Sequence, residues 1–260
     1  MPPEIMQVSL FNKKGFYPFR LDKIEFQIFL NPANGWVDSA IYLNGSLEPN
    51  FLRLISSHLK STDVFFDIGS NIGQHGLYAS RFCETVYCFE PITKLFNQLS
   101  LTISHNNFSN IRAYNLALGS SNGFMPIFSE AANMGGSSIL FKKNKSRKQM
   151  VEVRKLDDFL QQHPSSIGMM KIDVEGFEWE VLQGAEQTMR TYKPKLLIEY
   201  SLPLYNQISP DHGRKIYQFL TSIYGHIRNV GLDHEIDQKV ESFEDLEPLT
   251  HHTNLWCTND

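Results

Sequence analysis

The sequence predicts an α/β chain: a mostly parallel sheet with helices on both faces. Short apolar runs recur at Val64-Phe65-Phe66, Thr85–Phe89, Met169–Val174 and Leu196–Tyr200, as expected of strands buried on both sides. Amphipathic helical segments separate them, clearest in Ile92, Leu95, Phe96, Leu99 and Ile103 at i, i+3, i+4, i+7 and i+11. Repeated β–α units of this length favour a parallel sheet. At 260 residues, 42% hydrophobic and 20% charged, the chain has enough apolar surface for one large domain.

Residues 1–48 read as a strand-rich N-terminal extension. Ile24, Phe26, Ile28 and Leu30 alternate with Glu25 and Gln27, and Asn31-Pro32-Ala33-Asn34-Gly35 reads as a turn. The main domain is expected over 49–260. Pro49 suits the first turn of a helix carrying Phe51, Ile55 and Leu59 on one face. Later helices are expected over 73–82, around Phe177, Val181, Leu182, Ala185 and Met189, and around Ile216, Phe219, Leu220 and Ile223. Further strands are expected at 111–118 and 254–258. Residues 129–150 read as a long irregular insertion, with Gly135-Gly136 and five basic residues from Lys142 to Lys148. Such a segment is either a substrate lid or a solvated connection.

Charge and cysteine usage narrow the function. Twenty-four Lys+Arg against 28 Asp+Glu leave a net charge of −4, the wrong balance for binding duplex nucleic acid. No apolar run reaches the roughly 18 residues of a membrane span. The leading stretch lacks the charged-then-apolar order of a secretory signal. Cys83, Cys88 and Cys257 have no framework spacing and read as buried thiols. A cytoplasmic location is expected, and oligomeric state is not legible.

In an open parallel sheet, ligands bind beyond the carboxyl ends of the strands. After the first core strand stands Asp67-Ile68-Gly69-Ser70-Asn71-Ile72-Gly73, whose glycines permit a sharp turn and close approach to a ligand. Glu90 closes the next strand, 21 residues after Gly69, where an acid can accept from both ribose hydroxyls of an adenosine. A solvent-exposed strand-end glutamate is the plainer reading. The dinucleotide fingerprint G-x-G-x-x-G fails in both registers, falling on Asn71 in one and on Asn71 and Gln74 in the other.

Asp67, Glu90, Asp173 and Glu199 form a row of strand-tip acids. Carboxylates brought together raise one another's pKa, which suits general-base work, and they also suit oxygen ligation of a divalent metal. The spacing does not choose between these, and no His/Cys cluster suggests zinc. Glu175 and Glu178 stand at a helix start, where acids are favoured by the dipole; Glu178 reads as structural and Glu175 is open. His75, just after the glycine turn, is a candidate base, though a helix-surface histidine without a role is the commoner case. Lys171 reads as an ion-pair partner, and His251-His252 receive no role.

Asp67-x-Gly69-x-Asn71-x-Gly73 with Glu90 resembles the cofactor motifs of class I S-adenosylmethionine-dependent methyltransferases. Gly45-Ser-Leu-Glu48-Pro49, Phe89-Glu90-Pro91, Asn115-Leu-Ala-Leu-Gly119, Gly136-Ser137-Ser138, Leu156-Asp157-Asp158, Lys171-Ile-Asp173-Val-Glu175-Gly176-Phe-Glu178 and Leu197-Ile-Glu199 extend the series. Over residues 45–200 this is similar to the FkbM methyltransferase family, most specifically in its Lys-x-Asp-x-Glu-Gly-x-Glu block. The resemblance implies a Rossmann-like, doubly wound, seven-stranded fold and O-methylation of sugar or polyketide hydroxyls. Asp67, Gly69, Ser70, Asn71, Gly73, Glu90, Asn115 and Ala117 would then hold S-adenosylmethionine, with the adenine near Asn115 and Ala117. Asp173, Glu175, Glu199 and His75 are the pool of catalytic groups. The acceptor would be a small molecule such as a sugar or an acidic conjugate received by Lys142–Lys148. Two alternatives are an NAD-dependent oxidoreductase on the same fold and a non-catalytic adenosyl-ligand-binding protein.

Overall fold

The computed structural model describes residues 12–130, 133–138, 147–162 and 167–260. It opens on a hairpin, β1 (Gly15–Leu21) and β2 (Ile24–Leu30), paired antiparallel from Gly15↔Leu30 to Leu21↔Ile24. Phe26, Ile28 and Leu30 are buried and Glu25 is exposed, which is the alternation read in the sequence. The extension also holds a helix the sequence did not announce, α1 (Trp36–Asn44). Its buried Asp38 accepts from the Asn31 N–H (2.6 Å) and the Gln98 side-chain amide (2.6 Å).

The main sheet is built from β3 (Val64–Ile68), β4 (Thr85–Phe89), β5 (Ile111–Tyr114), β10 (Met169–Ile172), β11 (Lys195–Tyr200), β12 (His226–Gly231), the two-residue β13 (Gln238–Lys239) and β14 (Thr253–Thr258). Its order is β13-β12-β14-β11-β10-β3-β4-β5. The strands from β11 to β5 run parallel, whereas β14 is antiparallel to both β11 and β12. The eighth strand, beyond the seven expected, is the short β13 at the edge.

Strand periodicity divides the core between the two faces. Phe66, Ile68, Tyr87, Phe89, Met170, Ile172, Ile198 and Leu255 face one way. They pack with α5 (Leu156–Gln162), α6 (Glu178–Gly184), α7 (Glu186–Tyr192), α8 (Leu202–Ile208) and α9 (His212–Thr221). Phe65, Val86, Cys88, Met169, Leu197 and Trp256 face the other way, under α2 (Pro49–His58), α3 (Gln74–Ala79), α4 (Thr93–His105) and the hairpin. The fold is therefore doubly wound. Pro49 starts α2 as expected, but the single helix expected through Met189 breaks into α6 and α7 at Ala185.

A smaller sheet follows β5. Its order is β6 (Ala117–Leu118), β9 (Arg147–Arg154), β7 (Gly123–Glu130), β8 (Asn133–Ser138). The segment 111–118 is thus two strands, with β6 leaving the main sheet to pair with β9. The described parts of 129–150 are strand and not irregular loop: β7 pairs β9 from Gly123↔Val153 to Ser129↔Arg147. Lys142, Lys143 and Lys145 lie outside the described residues, so the basic lid falls largely there. All three cysteines are buried free thiols. No helix among the described residues is long and apolar enough to cross a membrane.

Candidate active site

The carboxyl ends of β3, β4, β10 and β11 converge on a cavity of about 690 Å³. Its geometry begins with the turn after β3. Gly69 and Ser70 both donate their N–H to the Phe89 carbonyl at 3.0 Å, which ties this turn to the end of β4. Gly69 sits at φ +81°, and a Cβ there would fall 1.8 Å from the Asp173 carbonyl oxygen. Only glycine lets the exits of β3 and β10 approach so closely. Gly73, at φ +84°, would drive a Cβ into Leu99 of α4.

Glu90 is the centre of the next layer. It is 4% exposed, which corrects the reading of a solvent-exposed strand-end acid. Its Oε2 accepts the Asn71 N–H (2.8 Å) and its Oε1 the Ile92 N–H (2.7 Å), so one carboxyl fastens two loops. Burial, only partly offset by these bonds, pushes its pKa up to about 8. Glu90 nonetheless lines the cavity, with lone pairs left for a ligand's hydroxyls.

A buried polar row runs beneath the glycine turn. Asp67 and Lys171 are register partners on β3 and β10, both fully or nearly fully buried. The Gly76 N–H donates to Asp67 Oδ2 (2.9 Å), while Oδ1 has no partner among the described residues. Burial raises the Asp67 pKa. Lys171 Nζ lies 2.8 Å from Asp173 Oδ2. Burial alone would lower the ammonium, but Asp173, Asp67 and Glu48 outweigh it and hold it above its ordinary value. Burial would likewise raise Asp173, yet the adjacent Lys171 keeps that carboxyl below its ordinary value.

Glu199, at the tip of β11, has the opposite character. Burial first, then Asp173, Glu178 and Glu175, push its pKa well up, and its Oε2 has no partner among the described residues. Glu178 is fully buried and holds the turn that carries Glu175. It accepts from the Val174 N–H (3.1 Å), the Gly176 N–H (3.2 Å) and the Tyr205 hydroxyl (3.0 Å). Glu175 and Gly176, at φ +54° and +97°, therefore form a left-handed turn and not a helix start. Burial lifts the Glu178 pKa to about 7. Its structural role is as read from the sequence.

The cavity brings together most of the site residues read from the sequence: Asp173, Glu175, Glu199, His75, Gly69, Ser70, Asn71, Glu90 and Ala117. Asp67 and Gly73 stand behind this lining. Asn115 also lies outside it, with its amide nitrogen donating to the Glu90 (2.9 Å) and Pro91 (3.0 Å) carbonyls. Ser70 spends its hydroxyl on the Asp67 carbonyl (2.8 Å). His75 is not a surface residue; it is 8% exposed, with Nε2 at 3.2 Å from Glu48 Oε2.

Several lining residues had no functional signal in the sequence: Trp36, Leu204, Leu232, Asp233, His252 and Asn254, while Glu48 stood in a quoted motif without a role. They come from segments far apart in the chain, so no local spacing marks them. No group of three or more His, Cys, Asp or Glu among the described residues is arranged to hold a metal ion.

A mostly parallel sheet with β14 reversed between β11 and β12, a glycine turn after β3 and a buried acid after β4 define a Rossmann-like methyltransferase fold. The chain belongs to the FkbM family of S-adenosylmethionine-dependent methyltransferases, whose Methyltransferase FkbM domain matches residues 67–231. Methyltransferase 1 of Beauveria bassiana is 27% identical over 193 residues, covering 62% of this chain and 73% of that protein. The Hexuronic acid methyltransferase AglP of Haloferax volcanii is 26% identical over 145 residues, covering 55% and 59%. The crystal structure of Methyltransferase FkbM from Methylobacillus flagellatus KT shares the fold at a TM-score of 0.51 and 18% identity. That match covers 85% of this chain, which spans only 54% of the other.

Proposed function

We propose that this chain transfers a methyl group from S-adenosylmethionine to a hydroxyl of a small molecule such as a sugar or polyketide. The observation that carries the reading is one cavity shared by the Gly69 turn, buried Glu90 and a set of acid–base groups. The fit to the cofactor rests on two features of that cavity. The Gly69 turn lines the cavity with backbone alone, and Glu90 offers a buried carboxyl able to accept from vicinal hydroxyls. Bound there, S-adenosylmethionine supplies an electrophilic methyl on a sulfonium.

The protein's own residues supply position and proton transfer. Glu90, with the peptide units around Gly69 and Asn71, binds the donor, and the apolar walls at Ile92, Leu95, Ala117 and Leu118 suit a planar base. Asp173, held ionised by Lys171, contributes fixed negative charge that favours a cationic donor. Glu199, pushed toward its neutral form by burial and the neighbouring acids, orients the acceptor. Trp36, 62% exposed yet lining the cavity, gives the acceptor an aromatic wall at the mouth. The relative named for hexuronic acid supports a carbohydrate among the first acceptors to try.

The test is a screen with labelled methyl donor over sugars, uronic acids, nucleotide-sugars and polyketides, with product analysis to distinguish O- from N-methylation. Label in an ether linkage is the expected result. Binding of S-adenosylhomocysteine without transfer to any acceptor would favour a non-catalytic role.

A further inference from the structure

Glu48 occupies a position that helix capping does not explain. It is the residue before Pro49 at the start of α2, yet its carboxylate does not cap that helix. Asp233, from a loop far along the chain, caps it instead, accepting the Asn50 (2.8 Å) and Phe51 (2.9 Å) N–H groups. Glu48 is also held at φ +50°, ψ +56°, a left-handed conformation costing a non-glycine residue about 1–2 kcal/mol. An acid beside a helix N-terminus, strained and released from capping, is oriented toward something else.

That something is His75. Glu48 Oε2 lies 3.2 Å from its Nε2, and both residues line the cavity. The contact is at ion-pair distance without an aligned hydrogen bond, and the buried Nε2 has no other partner among the described residues. The register between the two segments is fixed next door. Gln74 accepts the Leu47 N–H (2.6 Å) and donates to the Leu47 carbonyl (2.8 Å), clamping one peptide unit from both sides. Leu47–Glu48 and Gln74–His75 are thus locked side by side.

Resting on the methyltransferase reading above, we infer that Glu48 and His75 form a carboxylate–imidazole pair, in which His75 takes the acceptor's hydroxyl proton and Glu48 positions it. The acceptor O–H bond breaks with its proton going to the imidazole. The O–CH₃ bond forms as the methyl–sulfur bond breaks, and that bond's electron pair stays on sulfur. Glu48 sets the ring's tautomer and orientation. Two rival carboxylates are otherwise engaged, Asp173 with Lys171 and Glu178 with two backbone N–H groups and Tyr205, while burial and the neighbouring acids push Glu199 toward its neutral form.

The experiment separates this pair from the reading beneath it. Calorimetric titration of S-adenosylhomocysteine into wild type and Glu48→Gln should give equal affinities. Ring-nitrogen NMR of His75 in that complex should show one tautomer in wild type and a mixture in Glu48→Ala. With an acceptor from the labelled-methyl screen, Glu48→Gln should lower kcat about 10-fold or more at unchanged donor KM, with partial rescue by Glu48→Asp. Failure of wild type to bind S-adenosylhomocysteine would remove the underlying reading and the pair with it. Binding with identical His75 ring signals in wild type and Glu48→Ala would overturn the pair alone, as would undiminished turnover of Glu48→Gln.

Discussion

Glu90→Ala separates the two jobs of one carboxyl. The substitution leaves the Asn71 and Ile92 N–H groups without their 2.8 and 2.7 Å acceptor. At about 1–2 kcal/mol for each orphaned donor, the apo protein should lose about 2–4 kcal/mol near pH 5. For a chain of this size that is a melting shift on the order of 5–10 °C. The exposed, nearly neutral position expected of a strand-end glutamate is thus replaced by a structural one.

The pH dependence has a definite sign. A carboxyl raised from 4.5 to about 8 contributes stability below pH 4.5 that is lost as pH rises toward 8. The full loss is on the order of 5 kcal/mol, at about 1.4 kcal/mol per pH unit. Alanine carries no such penalty, so the melting gap between wild type and Glu90→Ala should shrink between pH 5 and pH 8. Calorimetric titration of S-adenosylhomocysteine should show affinity about 10- to 10²-fold weaker in the variant, from losing two hydrogen bonds to the ribose at about 0.5–1.5 kcal/mol each. Apo melting curves that coincide at pH 5, or a gap that widens with pH, would refute the structural account. Equal affinities would remove the ribose role.

Gly69→Ala places a Cβ 1.8 Å from the Asp173 carbonyl at a left-handed φ, so the β3 and β10 exits must part. A lowered melting temperature and lost S-adenosylhomocysteine binding are expected, and normal binding would deny the close approach any role. Lys171→Met strips Asp173 and Asp67 of their cation and should cost about 3–5 kcal/mol in urea unfolding, more at pH 8 than at pH 5. A penalty independent of pH would show that the two carboxyls do not depend on the ammonium. Glu199→Gln should turn over near the wild-type rate at pH 7, because glutamine mimics the neutral carboxyl that burial and the neighbouring acids favour. A large loss at that pH would make ionised Glu199 the working form.

The sheet and its ligand edge were legible because they obey local rules. Strands such as Val64–Ile68 and Thr85–Phe89 are apolar on both faces, and the Gly69–Gly73 turn and Glu90 sit at fixed distances after them. What was hidden depends on distant partners. Glu90 looked exposed because its acceptor role joins two backbone groups from separate loops, neither of which marks the sequence. His75 looked like a surface residue because Glu48, its neighbour, is 27 positions away. The strands within 123–154 were masked by Pro126, Gly135-Gly136 and the run of basic residues, which blur the period-two signal. α1 escaped because its exposed Trp36 and buried Asp38 invert the usual polarity of a helix.

The reversed β14 bears on how the chain assembles. It lies between β11 and β12 in the sheet but follows both in sequence, so each presents a bare edge until residues 253–258 are made. Those edges border apolar side chains such as Leu196, Ile198 and Ile227, an invitation to intermolecular pairing during synthesis. The sheet closes as two edges are zipped by one late strand, a slow, non-local step. Damage to the Leu255–Cys257 packing would therefore show itself first as poor recovery of soluble protein on refolding, ahead of any change in methyl transfer.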